Sequence, residues 1–135
     1  MNALFVDAGY LIALEAADDQ HHLAAQSHWR KLRQTLPPLI TTSYVFDEVV
    51  TFFNNRNRHE KAVELGGRLL QSPSIELVHV DESLFEEAWS FFQQYQDKAF
   101  SLTDCVSFVL MTQRQVTTAL TFDKHFKQAG FLLLP

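Results

Sequence analysis

Four carboxylates adjoin segments that are otherwise apolar: Asp7 after "ALFV", Glu48 within "TTSYVFDEVV", Asp104 within "SLTDCVSF" and Asp123 after "TALTF". Each has an ordinary explanation. Asp7 could open a turn before Gly9, Asp123 could cap a helix that begins at "KHF", and Glu48 could be a solvated acid beside Asp47. Asp104 stands three residues after Ser101, the spacing of a capping box. Brought together, the four acids mean something else. Two carboxylates ~4 Å apart repel by about 4 kcal/mol at an effective dielectric of ~20. A cluster of four is therefore costly unless a cation lies among them. Oxygen ligands with no Cys or His pair suit Mg²⁺ or Mn²⁺ better than zinc.

Whether the acids meet depends on the elements that carry them. Short apolar runs alternate with amphipathic stretches along the chain. Strands are expected at about residues 3–6, 39–41, 75–80, 118–122 and 131–134. Helices are expected at about 10–17, 21–36, 44–55, 58–71, 82–95 and 102–114, with one further turn after residue 123. Strands separated by helices need crossover connections, so the sheet should be mainly parallel with helices on both faces. Such sheets bind ligands outside the carboxyl ends of their strands. Asp7 and Asp123 follow strands directly and belong to that edge, and Glu48 lies in the second turn of a helix that starts there. Asp104 fits less directly, because its helix follows another helix, yet its first turn can face the same crevice.

Bulk composition narrows the classes further. At 135 residues, 47% of them hydrophobic and twelve of them Phe, residues 1–135 suit one domain with one well-packed core. A single Cys excludes an internal disulfide, and Cys105 reads as a buried filler. The apolar start "MNALFVDAGYLIAL" lacks a basic leader and contains Asp7, so a signal peptide or membrane span is not expected, and the setting should be cytoplasmic. The net charge of −5 argues against coating nucleic acid by overall charge. Local basic clusters remain: Arg30-Lys31-x-Arg33, Arg56-x-Arg58-x-x-Lys61 and Lys124-x-x-Lys127. The six His are scattered without an i, i+4 pair, so none is expected as a metal ligand. Tyr10, Tyr44, Trp29 and Trp89 read as packing or interface residues.

"LFVDAGYLIAL", "TTSYVFDEVV", "SLTDCVSFVLM" and "ALTFDKHF" resemble, in order and spacing, the PIN-domain ribonucleases. The chain is most similar to the small VapC-type toxins of bacterial and archaeal toxin–antitoxin pairs, over nearly its whole length. The resemblance implies a parallel sheet in the order 3-2-1-4-5, homodimerisation and an antitoxin partner that blocks the site. It matches Asp7, Glu48, Asp104 and Asp123 to the family's metal-binding acids. The implied chemistry is in-line attack of water on an RNA phosphodiester, assisted by one or two Mg²⁺ or Mn²⁺ ions. Asp7 and Asp104 are the first candidates for direct ligands, with Glu48 and Asp123 completing the shell through water or orienting the nucleophile. Thr103 and Thr121 stand beside acids and could hydrogen-bond a carboxylate or a phosphate.

Other classes fit less well. A phosphoacceptor domain would need Asp81 as its acceptor and a Lys after the last strand, which is missing. An Asp-x-Asp phosphatase is disfavoured by Gly at position 9. The remaining alternative is a non-catalytic PIN-like RNA-binding or protein-interaction module, against which the four intact acids argue.

Overall fold

The computed structural model describes residues 2–135. They form one five-stranded sheet of β1 (Leu4–Val6), β2 (Leu39–Thr42), β3 (Ile75–Val78), β4 (Thr118–Leu120) and β5 (Leu132–Leu134). The strand order is β3-β2-β1-β4-β5 and every pairing is parallel, as expected. The connections carry α1 (Ala8–Glu15), α2 (His22–Leu32), α3 (Ser43–Asn54), α4 (His59–Gln71), α5 (Glu82–Gln94), α6 (Leu102–Gln113) and α7 (His125–Gln128).

Strand alternation splits the interior into two layers. Phe5, Ile40 and Ala119 point into the larger cluster, with Val49 and Phe53 of α3, Ala88 of α5 and most of α6. Their neighbours Leu4, Val6, Leu39 and Leu120 point the other way, onto Tyr10 and Ala13 of α1 and Ala25 of α2. Side chains on a strand alternate faces, so three-residue strands suffice to hold helices on both sides.

Several boundaries differ from the expected ones for local reasons. The second helix gives way to a single 3-10 turn at Arg33–Thr35. Leu36 then takes an extended backbone (ψ 119°), as a residue before proline prefers. β4 ends at Leu120, two residues early. Thr121 still donates its N–H to Leu134 at 2.9 Å, but side-chain bonds from Thr121 and Asp123 then turn the chain out of the sheet. The sequence "TFD" therefore ends in a turn, and Asp123 is not the residue directly after the strand.

An aromatic group fixes α6 against α7. Phe108 meets Phe126 edge-on with centroids 5.0 Å apart, and Phe100 meets Phe108 the same way at 5.0 Å. Phe126 also reaches Phe5 of β1, at 6.1 Å. Such pairs add about 0.5–1.5 kcal/mol each beyond their buried area. They hold rigid the elements that bear Asp104, Asp123 and Asp7. Among the described residues no helix is long and apolar enough to cross a membrane.

Candidate active site

Asp7 follows β1 directly and stands as the N-cap of α1. Its N–H bonds to Leu120 of β4 at 3.0 Å, which anchors the acid at the junction of two central strands. Its side chain is buried (8% exposed), and Thr121 Oγ1 donates to Oδ2 at 2.8 Å. Burial pushes the Asp7 carboxyl up to about 7, against the lowering effect of the Thr121 bond, and Asp104 and Glu48 raise it further. Desolvation dominates because the charged form is the one that loses its water.

Asp104 is both things that its sequence context allows. Ser101 Oγ accepts from Asp104 N–H at 3.0 Å and Asp104 Oδ2 accepts from Ser101 N–H at 3.2 Å, which completes a capping box at the start of α6. The same Oδ2 lies 3.3 Å from His125 Nδ1. Burial raises the Asp104 carboxyl first of all, the Ser101 N–H lowers it, Asp123 raises it and His125 lowers it again. The box does not use up the carboxylate.

Glu48 sits at the rim, one turn into a helix whose start is held by Thr42 Oγ1 accepting from Val45 N–H at 3.2 Å. Burial of its carboxyl raises its pKa, the Thr103 hydroxyl opposes this, and the charges of Asp104, Asp47 and Asp123 add to the rise. Asp123 Oδ1 accepts from His125 N–H at 2.9 Å, a local turn before α7. Thr121 joins two of the acids, since its Oγ1 accepts from Asp123 N–H at 3.0 Å while donating to Asp7. Thr121→Val leaves that N–H and an Asp7 oxygen without partners. It is expected to cost about 1–3 kcal/mol in denaturant unfolding, in line with unsatisfied buried groups.

All four acids line one open cavity of about 570 Å³, together with Gly9, Ser101, Phe122 and His125. His125 is the residue that the sequence pattern missed. Its Nδ1 is 3.3 Å from Asp104 and 3.3 Å from Asp123 Oδ1, so the scattered His are not all remote from the acids. A search for paired His passes over it, because its neighbours here are carboxylates on other elements. Cys105 is buried, and burial followed by the charge of Asp104 pushes its thiol up to about 11, as suits an inert filler. A second, largely apolar groove of about 460 Å³, lined by Tyr10, Leu14, Trp29 and Leu65, gathers no such set of acids.

The basic clusters divide. Lys61 pairs with Glu15 at 2.6 Å and Arg56 lies 3.6 Å from the Phe52 ring centroid, so two members of the second cluster have local partners. Lys124 and Lys127 are exposed in the segment after Asp123, and Arg30, Lys31 and Arg33 are exposed at the end of α2. Tyr10 is buried and bonds His28 at 2.8 Å, while Trp89 is exposed and stacks on Phe92 at 5.5 Å.

Residues 4–132 match the PIN domain. The chain belongs to the PIN-domain family. Within it, the chain is 32% identical over 130 residues to the 23S rRNA-specific endonuclease VapC20 of Mycobacterium tuberculosis, covering 96% of this chain and 95% of that one. The crystal structure of VapC20, described as a sarcin-ricin loop cleaving toxin, superposes with a TM-score of 0.86 at 29% identity, covering 96% of each chain. The VapC-type resemblance thus holds. A toxin–antitoxin complex from Klebsiella pneumoniae matches with a TM-score of 0.59 at 11% identity, covering 90% of this chain and 87% of that one, and supports the fold alone.

Proposed function

We propose that this PIN-domain protein is a metal-dependent endoribonuclease and the toxin of a type II toxin–antitoxin pair. The observation that supports this most is the gathering of Asp7, Glu48, Asp104 and Asp123 around one open cavity. The donor set fits a divalent cation. It is rich in carboxylate oxygen, and the Asp7 carboxyl, raised to about 7, bears a charge that its surroundings do not compensate. Asp7 and Asp104 would hold Mg²⁺ or Mn²⁺, with Asp123, whose oxygen lies within 4.8 Å of an Asp104 oxygen, and Glu48 completing the shell. When bound there, such an ion would supply charge stabilisation at phosphorus and a more acidic water. Thr121 and the Ser101 box fix two of the acids in place before substrate arrives. Lys124 and Lys127 are exposed on the segment that follows Asp123, and would be the first cations to test as phosphate contacts.

The phosphoacceptor alternative is disfavoured, because its one candidate, Asp81, caps α5, accepting from Leu84 N–H at 2.8 Å, and does not line the cavity that gathers the other acids. The likeness to VapC20 makes structured ribosomal RNA the substrate class to try first, with a cognate antitoxin and a homodimeric toxin as the assembly. Purified protein is expected to cut ribosomal RNA in Mg²⁺ or Mn²⁺ and to stop in EDTA. Cleavage that continues undiminished in EDTA, after repurification to exclude contaminating nuclease, would overturn the proposal.

A further inference from the structure

We propose that His125 contributes a ring-nitrogen ligand, through Nδ1, to a divalent cation held between Asp104 and Asp123, and that this ligand biases the centre toward Mn²⁺ over Mg²⁺. The proposal rests on the acids being a cation site, and it adds to them a nitrogen that sequence spacing did not assign.

The separations match those between neighbouring ligands of one ion. Nδ1 is 3.3 Å from Asp104 Oδ2 and 3.3 Å from Asp123 Oδ1, and the three ligand atoms lie within 4.8 Å of one another. An octahedral ion with ligands at about 2.1 Å places adjacent ligand atoms ~3 Å apart and opposite ones ~4.2 Å apart. Both His–Asp separations fall within a few tenths of an ångström of the adjacent value. As a hydrogen bond the Asp104 contact is long, since charge-assisted N–H···O contacts run to about 2.7–2.9 Å. Equal, long distances to two acids leave the nitrogen facing the space between them.

The ring is also held in that direction. Phe100 meets it edge-on at 5.6 Å and 78°, and His125 N–H bonds Asp123 Oδ1 at 2.9 Å. The next residue, Phe126, is wholly buried and anchors α7. The side chain keeps 29% exposure and lines the cavity. A nitrogen ligand matters for metal choice because Mg²⁺ is a hard ion that favours oxygen, whereas first-row transition ions accept imidazole.

The test uses the whole protein loaded with Mn²⁺ alone. Pulsed electron paramagnetic resonance on the wild type should show nitrogen modulation from a coordinated imidazole, and His125→Gln, which offers oxygen instead, should abolish it. By calorimetry the ratio of Mn²⁺ to Mg²⁺ affinity should fall at least about tenfold in His125→Gln. Wild-type Mn²⁺ spectra without nitrogen modulation, or an equal loss of both metals in the variant, would overturn the inference. Asp104→Asn separates it from its premise. If Mn²⁺ binding depends on Asp104 but not on His125, only the nitrogen ligand is wrong. If it depends on neither, the cation reading of the acids fails as well.

Discussion

Asp104→Asn is expected to lower RNA cleavage at least ~100-fold while leaving the metal-free protein as stable as wild type, or more stable. Two effects of opposite sign act on stability. Asn keeps a carbonyl oxygen that can accept from Ser101 N–H, so the capping geometry can survive, but a negative charge near the start of α6 is lost, worth about 0.3–1 kcal/mol. Against this, burial and the charge of Asp123 hold the Asp104 carboxyl above its usual range, so the fold disfavours its ionised form. A neutral side chain relieves that cost at neutral pH. Melting curves with and without Mn²⁺ complete the test. Added ion should raise the wild-type melting temperature more than the variant's, because binding to the native state stabilises it by linkage. Full activity with an unchanged metal response would reduce Asp104 to its capping role.

The acids were legible before the fold was known because a parallel sheet leaves few options. Asp7 follows an apolar run, and Glu48 lies in the second turn of a helix that follows another such run. Once the strands are parallel, both belong to one edge, where the structure places them. Asp123 lies at the expected edge, but not directly after the strand. It lies beyond a turn made by Thr121, and the strand stops at Leu120 because side-chain bonds replace the ladder there. His125 was illegible for a physical reason. Spacing rules detect ligands that share a helix, whereas its partners sit on α6 and in the turn before its own helix. The basic clusters illustrate the same limit. Arg56 and Lys61 look like phosphate contacts in sequence, but Phe52 and Glu15 occupy them once the chain folds.

Asp7 carries the largest expected dependence on pH. Its carboxyl is raised from 3.8 to about 7, with burial as the leading cause. The folded state therefore holds this proton more tightly than the unfolded chain does. Stability from this group is full below about pH 4, falls as pH rises toward 7, and levels off above that. At roughly 1.4 kcal/mol per unit, the loss is on the order of 4 kcal/mol. Asp7→Asn imitates the protonated acid and can still accept from Thr121. In EDTA it should match wild type near pH 4 and exceed it by several kcal/mol at pH 8, as read from denaturant midpoints across that range. The same substitution should cost RNA cleavage at least ~100-fold, because the group that loses its charge is the one that needs a cation. Wild-type affinity for Mn²⁺ should rise about tenfold per pH unit up to 7 and then flatten, since a ligand must give up its proton to bind. In Asp7→Asn the rise should be shallower, with what remains coming from the raised carboxyls of Asp104 and Glu48. A wild type whose metal-free stability runs parallel to the variant's from pH 4 to 8 would show that Asp7 ionises as an ordinary surface acid. Its burial beneath Thr121 would then have no part in the chemistry. The expected crossing of stability and activity has one cause: the interior that destabilises the Asp7 carboxylate alone is the interior that a bound cation would make tolerable.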